Sequence, residues 1–171
     1  MSETIPVFSH RLQRVSAWVN TAALVLASVL LCLMVGLVVV QVVARYIFQD
    51  APAWTEEAAR YCMVWSALLA ASCAFYQGVD PALIKVGQNA SMAQKRGARI
   101  ARFLFVSMFA GTLLFHSAGM LQRASLRHTE ALGLNLALVM MVVPVFCLLI
   151  LFHAAVQLVS GAVIGEEASP I

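Results

Sequence analysis

The chain has 171 residues, 62% of them hydrophobic and only 11% charged, with a mean hydropathy of +0.89. These values exclude an ordinary soluble domain and indicate a membrane protein, where insertion and helix packing replace burial of a core from water. A net charge of +3, scattered beside the apolar runs, excludes a nucleic-acid surface and reads instead as a set of topology signals.

The first residues, MSETIPVFSHRLQR, do not make a secretory signal. The apolar run after them is twice the length of a signal core, so they are expected to remain as part of an uncleaved anchor. Phe8, Leu12, Val15 and Trp18 fall at helical spacing, with His10, Arg11 and Arg14 between them, as in an amphipathic lead-in at a membrane surface. From Val15 to Ala44 the chain carries no charged residue, and about 20 apolar residues suffice to span a bilayer as helix. The first span is predicted over about 17–44.

The run stops at RYIFQDAPAWTEEAAR, Arg45 to Arg60. Asp50 and Pro52 mark a turn, and the Trp54 ring suits headgroup depth. Thr55 is expected to cap the next helix, with Glu56 and Glu57 in its first turn, where the helix dipole favours negative charge. Glu56 and Arg60 stand four apart and can pair. Arg45 closes one helix while Glu57 opens the next. The two are therefore expected to form a clasp across the turn, the alternative being that Glu56 and Glu57 face outward to receive a partner.

An Arg-aromatic-x-Phe, a turn with Pro, then Trp-Thr-Glu-Glu and a nearby Arg resembles the small membrane subunit of tripartite ATP-independent periplasmic (TRAP) transporters. The residues that carry the resemblance are Arg45, Tyr46, Phe48, Pro52, Trp54, Thr55, Glu56, Glu57 and Arg60. Gln49 stands where the family usually has Asn. The continuation YCMVWSALLAASCAFYQG looks like the family's second helix, and Pro144 sits where a helix-four proline is common.

The second span is predicted over about 56–75. Its small residues Ser66, Ala70 and Ala74 recur every fourth position and allow close helix approach. Polar and turn-forming residues follow from Gln77 to Ser91. Ser91 and Gln94 then make a capping box, which opens a third helix over about 92–121. Lys95, Arg99 and Arg102 form a basic stripe on it, which suits anionic headgroups and reads equally as a solvated topology determinant. After a short polar loop, Ala131 to Gly165 runs without formal charge. Only Pro144 interrupts it, so one long helix over about 134–163, kinked there, is expected.

The whole, residues 1–171, reads as a single all-α integral membrane domain with four transmembrane helices. The N-terminus and middle loop hold seven basic residues (Arg11, Arg14, Lys85, Lys95, Arg96, Arg99, Arg102). The other two loops hold four (Arg45, Arg60, Arg123, Arg127), so both termini are predicted to be cytoplasmic. Asp50 and Thr129 would then face outward.

No Asp, Glu, Lys or Arg is embedded in a span away from its ends, so the chain shows no intramembrane carboxylate to carry a proton. Cys32, Cys62, Cys73 and Cys147 lack metal-ligand spacing and read as small hydrophobes. His116 and His153 are the intramembrane ionisable residues. At 1.5 Å per residue they fall at depths differing by roughly half a membrane, which argues against haem and for packing or hydrogen bonding. No catalytic, cofactor or metal site is expected, and the chain does not read as an enzyme.

The resemblance implies a scaffold subunit of a sodium-driven, binding-protein-dependent symporter, in a heteromeric complex in the bacterial inner membrane. A large membrane subunit would hold the sodium and substrate sites. An extracytoplasmic solute-binding protein would deliver an organic acid such as a C4-dicarboxylate or sialic acid. Two other classes fit the residues: a membrane-anchor or cytochrome subunit of a respiratory oxidoreductase, and a small stand-alone transporter.

Overall fold

In lipid every backbone N–H and C=O needs an internal partner, so an uncharged run as long as the first one has no alternative to continuous helix. The computed structural model describes residues 7–50, 52–78 and 91–160, with side chains from Arg11 onward apart from Met92, Lys95 and Ser160. Helix α1 spans Val7–Val43 and ends in a π-helical turn, Ala44–Phe48. Helices α2 (Ala53–Gln77) and α3 (Met92–Ala124) follow, and the last run forms α4 (Leu136–Met140) and α5 (Val142–Ser160). The expected connection over 79–90 and the end of the fourth span, 161–163, lie outside the described residues, as do the side chains of Phe8, His10 and Lys95.

Among the described residues four stretches are long and apolar enough to cross a membrane: Arg11–Phe48, Ala53–Gln77, Arg96–Ala124 and Leu136–Val159. Among the described residues there is no strand, only an isolated bridge between His128 and Asn135. Helix α1 lies along α2, α3 lies along α5, and α5 touches all three. The hairpin contacts define two ends. One, the corner end, gathers the close of α1, the start of α2, the close of α3 and the loop before α4. The other gathers the start of α1, the close of α2, the start of α3 and the close of α5.

The ends of the helices follow local chemistry. Gly78 adopts φ 68° beyond α2, and its N–H bonds to the carbonyls of Ala74 and Phe75, a left-handed cap that glycine accepts without a Cβ clash. The Ser91–Gln94 capping box forms in both directions, as the spacing predicts. Asn135 caps α4 through Oδ1, which accepts from the Ala137 N–H at 2.9 Å, while its Nδ2 donates to the Ser125 carbonyl at 3.1 Å.

The break between α4 and α5 falls at Met141, three residues before Pro144. Proline has no N–H for the carbonyl four residues back and its ring crowds that turn, so the expected kink is an interruption of the helix. Trp65 of α2 donates its indole N–H to the Val139 carbonyl at 3.1 Å, meeting one of the carbonyls that the close of a helix leaves unpartnered.

The inward faces are not quite those expected. On α1 the buried residues are Ser16, Asn20, Ala23 and Ala27, a stripe of small or short side chains against which α2 sets Leu69 and Cys73, with Leu30, Trp65 and Leu149 around them. On α2, Ser66 is buried and Ala74 half-buried, but Ala70 is exposed. Within this chain the packed face of α2 is centred on Ser66, Leu69 and Cys73, and of the expected face Ser66, Ala70, Ala74 it leaves Ala70 outward, where only a partner helix could meet it. Elsewhere α1 and α3 present broad apolar surfaces outward, including Val25, Val29, Leu33, Phe105, Met108 and Phe115.

Candidate functional site

The corner is built from the way α1 stops. Its last turn widens to π geometry, Gln49 takes a left-handed conformation (φ 56°, ψ 18°), and the N–H groups of Gln49 and Asp50 both reach the Ala44 carbonyl. A residue other than glycine is uncommon in that conformation, and Asn tolerates it better than Gln. The backbone thus gives a reason for an Asn at this place. The reversal leaves Tyr46, Ile47, Phe48 and Trp54 exposed, so the corner carries an aromatic and apolar rim.

Helix α2 starts one turn earlier than its capping pattern implied. Pro52 is its N-cap, with extended backbone and no side-chain cap bond. Thr55 is therefore inside the helix, fully buried, and its Oγ1 donates to the Pro52 carbonyl at 2.7 Å. The expectation of Thr55 as cap is corrected on that geometry. Glu56 and Arg60 pair at 3.0 Å, as their spacing predicts, with both side chains more than half exposed. A pair so exposed contributes about 0–1 kcal/mol.

Glu57 does not clasp Arg45. One Oε2 accepts the backbone N–H groups of Ala131 and Leu132, at 2.8 and 2.9 Å, and Oε1 accepts the Tyr61 hydroxyl. Consecutive helix residues point about 100° apart. Glu56 shares a shallow groove with Arg45, Gln41, Val42 and Tyr46, while Glu57 is turned toward the loop between α3 and α4. That loop is itself ordered by hydrogen bonds. Thr129 is buried, its N–H bonds to the Leu134 carbonyl at 2.8 Å, and its Oγ1 accepts the Leu134 N–H at 3.0 Å. Gly133 supplies a left-handed turn at φ 64°.

The carboxylate therefore pins the start of α2 to the tip of a loop 74 and 75 residues further on. From the sequence alone the loop reads as merely polar. Gly133 and Asn135 signal its turn, but no local pattern names Glu57 as its partner.

At the opposite end the ties are buried. His153 is fully enclosed, with Nδ1 2.8 Å from Ser16 Oγ and its ring beside Tyr76 and Phe152. Gln157 Nε2 lies 3.4 Å from the Phe75 carbonyl and 3.5 Å from that of Tyr76. Arg102 donates to the same Phe75 carbonyl at 3.4 Å and stands over the Phe75 ring, 4.6 Å from its centroid. A residue read as part of a basic stripe thus also closes the end of α2, the place where a helix dipole favours positive charge. His116, by contrast, is exposed on α3 with Nδ1 2.9 Å from the Thr112 carbonyl.

Chemically, both ends hold helices in place. Most of the hydrogen-bonding groups brought together are engaged with backbone or with one another, while His153 Nε2 and Asn20 Oδ1 are buried without a hydrogen-bond partner among the described residues. Among the described residues no three His, Cys, Asp or Glu side chains gather as metal ligands would, and the four cysteines are free thiols.

Comparison with known families matches residues 34–163 to the DctQ component of tripartite ATP-independent periplasmic transporters. Searches of curated proteins and of solved structures return no match. The matched stretch takes in the corner, its Glu57 anchor and all of α2 to α5, and so covers most of the chain. The chain belongs to the DctQ family and is a small membrane subunit of a TRAP transporter.

Proposed function

We propose that this subunit braces a large transport subunit in the bacterial inner membrane, in a complex that takes up an organic acid with sodium. The large partner supplies the substrate and sodium sites, and an extracytoplasmic solute-binding protein delivers the substrate. Both termini are cytoplasmic, so the corner faces the periplasm. The observation that carries this reading is family membership together with how the helices are used. Polar side chains tie helices to one another, while α1 and α3 leave long apolar faces for lipid and a partner.

The test is reconstitution. Liposomes holding this chain and its large partner, given the binding protein, should accumulate the organic acid down a sodium gradient, and this chain alone should not. Sodium-driven uptake by this chain alone would end the scaffold reading. Orientation is checked separately with an impermeant thiol reagent on intact cells, in a background without the native cysteines. Glu130→Cys, at an exposed position of the corner-end loop, should label, and Arg96→Cys, exposed near the start of α3, should not. The reverse pattern would invert the topology.

A further inference from the structure

Between Arg102 and Arg123 helix α3 carries no charged residue over roughly 30 Å, the thickness of a hydrocarbon core. Within this chain α3 packs mainly against α5, and with α4, along a side that buries Ala110 and Ser117. On another side Phe105, Phe109, Thr112 and His116 are exposed, spaced four, three and four apart, and Gly119 follows after three more. That is the 3.5-residue repeat by which one helix seats against another. A Cβ at Gly119 would meet nothing nearer than the Arg123 side chain at 3.9 Å, so a neighbouring backbone can approach closely there.

His116 is the group on this side that lipid does not satisfy. It lies about 10 Å along the axis from Arg123 and about 20 Å from Arg102, inside the uncharged stretch. Its Nδ1 is 2.9 Å from the Thr112 carbonyl, which can only accept, so Nδ1 carries the proton and Nε2 of the neutral ring is an acceptor. No described residue donates to Nε2. Ionisable side chains at such a depth face another helix or an aqueous cavity as a rule. The exposed hydroxyls of α1 differ. Thr21 and Ser28 each donate to the carbonyl one turn back at 2.9 Å, and so are satisfied within their own helix. We propose that Phe105, Phe109, Thr112, His116 and Gly119 form the seam on which a transmembrane helix of the large subunit docks, presenting a hydroxyl or N–H donor to His116 Nε2. The assignment rests on the bracing role and specifies the face that performs it. A second copy of this chain does not supply the donor. A two-fold pair would set one acceptor against another, and the Thr112 hydroxyl already donates to the Met108 carbonyl at 2.7 Å.

The full chain would be produced with its large partner, carrying photoreactive benzoylphenylalanine in place of Phe109, and irradiated in membranes. The crosslinked product, identified by mass spectrometry, should be this chain joined to the large subunit. His116→Leu removes the acceptor and should weaken retention of the large subunit in detergent about threefold, the worth of an average interhelical hydrogen bond in a membrane. His116→Gln keeps an acceptor and should retain most of the affinity. Because His116 is exposed, the chain purified alone should keep its melting temperature in both variants. Crosslinks to lipid or to a second copy only, full retention in His116→Leu, or a melting temperature of the lone chain that falls together with retention would each overturn the seam. The photocrosslink decides the matter even if a His116 variant yields no protein. Sodium-driven uptake by the wild-type complex is followed separately. Uptake alongside a Phe109 crosslink to lipid only removes this face and leaves the bracing role standing, whereas failure of the wild type to form any complex removes both.

Discussion

The two ends of the bundle solve one problem in different ways. At the corner end a charged carboxylate, Glu57, holds a loop through backbone N–H groups at a site open to water on one side. At the other end the fully buried ties are made by uncharged hydroxyl, imidazole and amide groups, Ser16 with His153 and Gln157 with two carbonyls, and the one charged tie described there, Arg102, is only part-buried. A buried charge without full compensation costs far more than a buried hydroxyl or imidazole, so an anion can serve as the tie only near the surface. The comparison teaches that position relative to water, more than sequence separation, selects which chemistry joins two helices here.

The largest effect should come from the enclosed end. His153→Ala removes a fully buried ring and leaves Ser16 without its partner, which should cost roughly 3 kcal/mol of stability in detergent, mostly from the cavity. Ser16→Ala removes only the interhelical hydrogen bond, and such bonds in membrane proteins average about 0.6 kcal/mol. Chemical denaturation of both variants would read the split. A Ser16→Ala loss as large as that of His153→Ala would mean that the hydrogen bond, and not the packing, holds this end together.

A local effect is expected at the corner. Glu57→Ala should leave the Ala131 and Leu132 amides exchanging with solvent at close to open-loop rates, while Arg45→Ala should leave them protected. Hydrogen exchange with mass spectrometry separates the two. Equal deprotection in Arg45→Ala would restore the clasp across the turn that the sequence suggested. Loss of complex assembly with the large partner in Glu57→Ala, but not in Arg45→Ala, would show that the pinned loop also shapes the partner's surface.

The smallest effect sharpens the comparison at the backbone. Gln49 is held in a left-handed conformation that Asn or Gly adopts more readily. Gln49→Asn and Gln49→Gly should stabilise the chain by a few tenths to about 1 kcal/mol, read as a modest rise in melting temperature. A fall in both would show that the Gln49 side chain has a contact that outweighs its backbone strain.

What the sequence determined by itself was whatever depends on neighbours within a turn or on the number of apolar residues in a row. The four spans, the polar corner after Ala44, the capping box at Ser91, the Glu56–Arg60 pair and the interruption near Pro144 are all of this kind, because bilayer thickness and helix-end chemistry are local constraints. The family could be recognised for the same reason, since its residues lie together between Arg45 and Arg60.

Tertiary structure alone decided that Glu57 serves a loop 74 residues away and not Arg45, and that Ser16 meets His153 across 137 residues. It also turned Ala70 outward, moved Thr55 from cap to core and made Arg102 close the end of α2. In a membrane the buried face and the lipid face of a helix are both apolar, so hydropathy marks the span without marking its inside. Which face turns inward, and which distant backbone group a polar side chain finds, is settled only when the helices pack.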